Sequence, residues 1–461
     1  MHSKVEQVRS KVDGALDEAL KKLARYVAVP AISSDPKHKE DVKRLGTMIR
    51  DDLTTLGFKR SRLLELDDAH PCVAAEWLKA DPSKPTILIY GHFDVQPVAG
   101  ENWNTPPHEL VRKGDRAYGR GSADDMGGWV SHLVTLEAWL QEAGELPCNV
   151  KLLIEGEEEI GSPNLERYMD AFPDAFESDV MVLTDCENPA VDLPGLTISL
   201  RGLLEIELAI QTAECDVHSG LWGNVVPDPA ILLVKLIARL VDDEGRMKIG
   251  RRPVDPKWME GSKSIPMNDE TIRSGAHLLP GVSPLESRDM TAPAWAWRQP
   301  AVTILSSTFP APGTEKNAVR HRSSVKLSFR VAPGQTREEL FDLVNKELDS
   351  GLPKGVKLEI SELGGGASSW DYEPKGPAFD AADRAYVKAW GRPMVRTGIG
   401  GSIPFVALFG KRFSNLPLIL NGVIDPETTA HGPNESLHLG VFQKAMIANV
   451  YLLDELSALK K

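Results

Sequence analysis

A histidine and an aspartate stand two residues apart in Tyr90-Gly91-His92-Phe93-Asp94-Val95-Gln96-Pro97, just past the apolar run Thr86–Tyr90. A histidine at a strand's end can give one ring nitrogen to a metal ion. The carboxylate two residues on can hold the other nitrogen and set the tautomer. Three acidic clusters and a late histidine follow. Gly119-Arg120-Gly121-Ser122-Ala123-Asp124-Asp125-Met126-Gly127-Gly128 places two carboxylates between glycines at a helix entry. Asp124 reads as a metal ligand, because small neighbours let a cation approach the backbone. Asp125 reads equally well as a helix N-cap. Glu155-Gly156-Glu157-Glu158-Glu159-Ile160-Gly161-Ser162 follows the strand-like run Val150–Ile154. A run of acids is ordinarily a solvated face. Straight after a buried strand it suits two roles instead, one acid binding metal and its neighbour acting as a general base. Thr184-Asp185-Cys186-Glu187 closes the run Val180–Leu183, where the aspartate is either a ligand or a turn residue. His431, in Thr429-Ala430-His431-Gly432-Pro433-Asn434-Glu435, offers a second imidazole. Imidazole with carboxylate suits zinc best and admits manganese or cobalt. The set describes a two-metal hydrolase site.

These residues need elements that bring them together. In the first part of the chain, strand-like runs (73–77, 86–90, 150–154, 180–183) alternate with helical ones, such as Gly127 to Gly144. That alternation predicts an α/β layer with a mostly parallel central sheet flanked by helices. Sites in such sheets form at the carboxyl ends of the strands, where these acids lie. Val5, Val8, Val12, Leu16, Leu20 and Leu23 recur at helical spacing and predict an amphipathic helix at the start. The texture changes near Leu196. Two strand-helix halves of antiparallel character follow, separated by a Pro-, Arg- and Gly-rich stretch from about 242 to 299 that should hold loops and short helices. Thr336 reads as the N-cap of a helix over 337–348. After Gly364-Gly365-Gly366 the α/β texture returns, with a strand over 416–420 and helices over 378–390 and 439–459. The expected division is a catalytic domain of residues 1–195 and 373–461, interrupted by an inserted α+β lid of residues 196–372.

Composition narrows the function classes. The 461 residues exceed one ordinary core. A net charge of -13 argues against non-specific binding to nucleic acid or anionic membrane. The four cysteines are scattered, with no Cys-x-x-Cys pair to suggest a thiolate site. No apolar run is long enough to span a bilayer, and the start lacks a signal peptide's apolar region, so a cytoplasmic location is the default expectation.

With these motifs in place, the chain resembles the di-zinc metallopeptidase family of carnosinases, cytosolic non-specific dipeptidases, glutamate carboxypeptidases, aminoacylases and succinyl-diaminopimelate desuccinylases. Residues 90–97, 118–125 and 155–162 are most similar to its carnosinase and dipeptidase branch. The resemblance covers essentially the whole chain. It implies two divalent metal ions per chain, His92 and Asp185 holding one, Glu159 and His431 the other, with Asp124 bridging. It implies that Asp94 orients His92 and that a bridging, metal-bound water is activated by Glu158. Aligning Gly161-Ser162 selects Glu158 as base and Glu159 as ligand. Met126 stands where the family often has lysine, which bears on local charge or substrate preference rather than on the metal.

The same resemblance assigns lid residues. His218, in Asp216-Val217-His218-Ser219-Gly220, resembles a histidine that reaches the partner subunit's active site and stabilises the oxyanion, implying a homodimer formed through the lid. From its surroundings alone it is a loop histidine. Arg330 resembles an arginine that binds the substrate's carboxylate, a task suited to a bidentate guanidinium. Its plain alternative is an arginine ending a strand in solvent. Asn317 matches a substrate-binding asparagine, although Lys316-Asn317-Ala318-Val319-Arg320 departs from the usual Asn-Val-Ile-Pro. Gly401 and Ser402, in Gly400-Gly401-Ser402-Ile403-Pro404, resemble a pocket-lining glycine loop. The expected activity is hydrolysis of dipeptides or short peptides with a free C-terminal carboxylate. N-acyl-amino-acid deacylation on the same two metals is the alternative, and a non-catalytic binding relative is remote because every ligand and the base are present.

Overall fold

In the strands Thr86–His92, Asn149–Glu155 and Val180–Leu183 every residue is buried. Strands covered on both faces are the mark of a parallel layer between helices. The structure, a computed structural model, describes residues 2–309, 313–364, 366–401, 404–413 and 416–460. Its central sheet runs in the order Lys59–Leu64, Cys72–Trp77, Asn149–Glu155, Thr86–His92, Val180–Leu183, Leu418–Leu420. The last four strands are mutually parallel. The first two join through antiparallel pairings.

Because side chains alternate along a strand, the same strands feed two cores. Ile87, Ile89, Val150, Leu152 and Val182 point to one face, against Trp129, Val130, Phe379 and Phe442 of the helices Met126–Ala143, Pro377–Trp390 and Leu439–Ser457. Leu88, Tyr90, Leu153, Met181 and Leu183 point to the other, against Tyr168, Phe405 and Phe409.

The start of the chain departs from expectation. Two helices, His2–Asp13 and Leu16–Val27, replace one. The break falls at Gly14-Ala15, where glycine is the poorest helix former short of proline. Val5, Val8, Val12 and Leu23 are nonetheless buried in one core. The helix Lys39–Thr55 was not anticipated, although its buried Val42, Leu45, Ile49 and Leu53 keep helical spacing.

The inserted unit is a four-stranded antiparallel sheet in the order Ala301–Ser307, Arg322–Val331, Gly202–Gln211, Lys357–Glu362. Helices Pro229–Ala238 and Arg337–Leu348 supply Leu233, Leu236, Leu340 and Val344 to its core. Thr336 caps the second helix as expected, exchanging a reciprocal pair of hydrogen bonds with Glu339. The 242–299 stretch holds three short helices, Pro256–Ser262, Asp269–Gly275 and Ala292–Arg298. Gly195–Leu200 pairs in parallel with Val395–Ile399 and antiparallel with Trp370–Asp371, so the strand leading into the insertion lies beside the chain that leaves it. Among the described residues, no helix is long and apolar enough to cross a membrane.

A small three-stranded sheet joins the two ends of the catalytic layer. Arg116–Tyr118 pairs with Ser436–His438 on one side and Val111–Lys113 on the other. Buried Arg116 makes a bidentate contact with buried Asp425, at 2.8 and 3.1 Å, and also donates to the Ser436 hydroxyl at 2.7 Å. Removing one partner of a buried pair strands the other's charge. Arg116→Met is therefore expected to destabilise the protein by about 3–5 kcal/mol, read as a lower midpoint in urea unfolding.

Candidate metal centre

The acids and imidazoles meet at the carboxyl ends of the parallel strands. His92 ends its strand, Asp185 follows Val180–Leu183 by two residues, and Glu158 and Glu159 sit in a short 3-10 turn after Asn149–Glu155. Asp124 lies in the turn before the helix Met126–Ala143, and His431 on the loop after Leu418–Leu420. Two overlapping groups result, His92–Asp124–Asp185 and Asp124–Glu159–His431, each with its ligand atoms within 4.8 Å of one another. Asp124 belongs to both. Its two oxygens lie 3.2 Å from His92 Nε2 and 3.2 Å from His431 Nε2. Glu159 is also 3.2 Å from His431 Nε2. Asp185 is 3.8 Å, and Glu158 4.0 Å, from His92 Nε2.

The three consecutive glutamates point in different directions. Glu157 turns back into its own loop and accepts from the backbone of His70 and Asn164, each at 3.0 Å. Glu158 faces His92 and Glu159 faces His431. Asp94 sets this arrangement. Its carboxylate accepts from the amides of Glu158 and Glu159 at 3.1 and 3.0 Å. His92 Nδ1 lies 3.1 Å from the Asp94 carbonyl oxygen and 3.5 Å from its carboxylate.

Charge is crowded here. Burial opposes a charged His92, yet the Asp124 and Asp94 contacts hold its pKa well above the usual imidazole value. Contacts with Asp124 and Glu159 carry His431 up to about 11. Burial, reinforced by nearby carboxylates, pushes Glu158 well above the carboxylate range. Burial and Asp124 bring Asp185 to about 7. Four carboxylates against two imidazoles, all oxygen and nitrogen donors, fit divalent cations of the zinc or manganese type.

Several supporting residues escaped sequence reasoning. Gln96 donates to Glu159 at 2.7 Å. Asp125 occupies the N-cap position without making a side-chain cap bond. It accepts instead from the His92 amide at 3.2 Å and the Thr184 hydroxyl at 2.7 Å. Trp129 donates to the His92 carbonyl at 2.9 Å. Buried Glu435 accepts from the amides of Gly121, Ala123 and Asp124 and from Arg120. Gln96 and Glu435 lie inside motifs that were visible, but hydrogen bonds to partners 63 and 314 residues away leave no local pattern.

Among the described residues, His218, Asn317 and Arg330 of the insertion make no hydrogen bond or ion pair with this cluster. His218 is exposed on a two-stranded ribbon, opposite Ala318, and its Nδ1 accepts from the Gly220 amide at 3.0 Å. Asn317 is exposed beside it, its carbonyl accepting from Ser219 at 3.0 Å. Arg330 is half-buried, and its charge bears on Arg201, which donates to the Gly400 carbonyl at 2.9 Å. Gly401 is half-buried. Ser402 lies outside the described residues.

A carboxylate–imidazole cluster at the strand ends of an α/β layer, with an antiparallel unit inserted in the chain, places this protein among the metal-dependent amide hydrolases. Residues 88–455 match the peptidase family M20/M25/M40, and the chain belongs to that family. A cysteinylglycine-S-conjugate dipeptidase of Corynebacterium striatum is 31% identical over 440 residues, spanning 95% of each chain. Among solved structures, the di-peptidase Dug1p of Saccharomyces cerevisiae superposes with a TM-score of 0.78 at 26% identity over 99% of each chain. Human carnosine dipeptidase 1 gives 0.76 at 25%, again over 99% of each.

Gly91 shows how tightly the site is built. A Cβ there would come within 2.5 Å of the Asp125 carboxylate and 2.7 Å of the Thr184 hydroxyl. Gly91→Ala is expected to cost about 1–3 kcal/mol, as overpacking does. It should also lower uptake of zinc or manganese, measured by elemental analysis after dialysis.

Proposed function

We propose that this protein hydrolyses the amide bond of dipeptides and short peptides that bear a free C-terminal carboxylate. The observation that carries this is the pair of overlapping ligand groups sharing Asp124, with Glu158 alongside, its carboxylate 4.0 Å from His92 Nε2. His92 and Asp185 would hold one divalent cation, Glu159 and His431 the other, with Asp124 between them. Bound there, such cations supply Lewis acidity to a carbonyl oxygen and to water. Glu158 takes a proton from the attacking water and delivers it to the leaving amine. Burial raises its proton affinity above that of an ordinary carboxylate, the direction a group that takes and returns a proton needs. Asp94 holds the Glu158 and Glu159 amides and so keeps the base and a ligand in register.

Arg330 would take the substrate's carboxylate. Among the described residues no carboxylate pairs with it, and through Arg201 it neighbours the glycine loop at Gly400-Gly401. His218 and Asn317, exposed side by side on their ribbon, would serve the active site of a second copy, with His218 supporting the oxyanion. The lid of residues 196–372 would be the joining unit. Ile304 and Leu305 on the edge strand, and Ile231 and Val234 on a lid helix, are each at least half exposed (50–60%) and favour such an interface. The four cysteines are all unpaired, which fits a cytoplasmic setting.

Hydrolysis of dipeptides against N-acyl amino acids, with zinc or manganese restored to chelated enzyme, tests the activity. Dipeptides should be the better substrates, and two ions per chain should restore full turnover. Efficient cleavage of N-acyl amino acids in place of dipeptides would support the deacylase alternative.

Glu158→Ala should lose at least about a hundredfold in kcat while still taking up both ions. Glu157→Ala should retain substantial activity, since that carboxylate bonds only to its own surroundings.

Cation binding should release protons. Both imidazoles have raised pKa values in the cation-free site, so they must give up protons to act as ligands. Affinity should therefore rise with pH and fall on acidification. Calorimetry in buffers of different ionisation heat should show net proton release near neutral pH.

A further inference from the structure

A cavity of about 320 Å³ is walled partly by segments that adjoin the candidate metal ligands along the chain. Three of its wall segments lead directly into the candidate site. Glu187 follows Asp185 by two residues, Ile399 precedes Gly400, and Pro426 lies on the chain leading to His431. Burial alternates here, with Cys186 buried between half-buried Asp185 and exposed Glu187. The remaining walls come from the 265–276 and 292–298 segments of the insertion and are largely apolar, among them Ile265, Met267, Ile272 and Trp297.

Among the described residues, Glu187 is the only charged one lining this cavity. Its side chain is exposed, and among the described residues no cation or hydrogen-bond donor engages its carboxylate. The neighbouring acid, Asp425, is paired with Arg116, and desolvation together with Asp425 raises the Glu187 carboxyl to about 7. A solitary carboxylate among apolar walls matches a methylene stem that ends in a cation, because the stem buries against apolar surface while the charge finds its partner. Trp297 adds an aromatic face, which also favours a cation.

We propose that this cavity selects substrates whose acyl-side residue carries a basic side chain, with its cationic end at Glu187 and its methylene stem along the apolar walls. The proposal rests on the peptide-hydrolase function above and adds a substrate class to it.

The test compares lysyl-alanine with norleucyl-alanine, which has the same length of stem but no charge. Wild type should favour the lysyl peptide by roughly tenfold in kcat/KM, the usual worth of a charge-assisted pair. Glu187→Gln should bring the ratio close to one, and Glu187→Lys should invert it. A ratio is insensitive to partial unfolding or incomplete metal loading. Equal rates in wild type, or a lysyl preference that survives in Glu187→Gln, would overturn the proposal while leaving peptide hydrolysis standing. If Glu187 instead held the peptide's α-ammonium, the two peptides would react alike and Nα-acetylation would slow both, which also overturns it. Calorimetric titration with L-lysine and L-norleucine reads the same preference without turnover. Tighter binding of lysine, abolished in Glu187→Gln, supports the cavity's role, and equal affinity refutes it even if no peptide is cleaved.

Discussion

Glu435 is buried, and water cannot solvate its charge. A carboxylate in that position is costly unless hydrogen bonds replace its hydration. Here the Arg120 guanidinium and the amides of Gly121, Ala123 and Asp124 do so, at 3.0–3.1 Å. Those amides form the turn that carries Asp124, and Glu435 itself lies four residues beyond His431. Satisfying one buried charge therefore brings two distant stretches of chain together, with Asp124 3.2 Å from His431 Nε2. The Arg116 contacts with Asp425 and Ser436 brace the same junction from the neighbouring strand. Arg120 is in turn held by Glu101 and stacks on Trp103, so the cradle is secured on its outer side too.

Around that junction the protein concentrates like charge. Asp124, Asp185, Glu158 and Glu159 would repel one another in any flexible arrangement. Backbone geometry keeps them facing inward. Asp94, itself fully buried, spends its carboxylate on two consecutive amides and so aims two adjacent side chains at different imidazoles. Asp125 ties the His92 strand to Thr184, just past the end of the next strand. His431 has a φ of 62°, a left-handed conformation that histidine seldom adopts, which the loop imposes as it presents the ring. Rigid support of this kind lets a site hold several acids whose proton affinities differ by environment rather than by type.

Much of this was legible in the sequence because the catalytic layer advertises itself locally. The buried parallel strands are short apolar runs, and the chemistry follows each run within a few residues, as with His92 after Thr86–Tyr90 or Glu158 after Asn149–Glu155. The inserted sheet was readable from its strand-like runs and its following helix from Thr336 as N-cap, which the structure completes as a capping box with Glu339. What stayed hidden had no local signature. The strand Val395–Ile399 is half-buried and contains a glycine, and its partner Gly195–Leu200 lies almost two hundred residues earlier. The roles of Gln96, Asp125 and Glu435 depend on what folding places opposite them. The break at Gly14 was visible as a residue, but the continuing apolar spacing on either side of it masked the turn.

The meeting of Arg116–Tyr118 with Ser436–His438 has a consequence for how the molecule comes into being. A ribosome makes His92, Asp124, Glu158 and Asp185 first, then the whole insertion, and only afterwards His431 and Glu435. Until the later stretch emerges, the turn bearing Asp124 lacks its cradle and the second imidazole is missing. The insertion, by contrast, closes its own sheet and core from residues 202–362 alone. Vectorial synthesis thus completes the inner unit while the outer one is still open. The grouping of Asp124 and Glu159 with His431 therefore forms only once the last segment of the chain has joined the first.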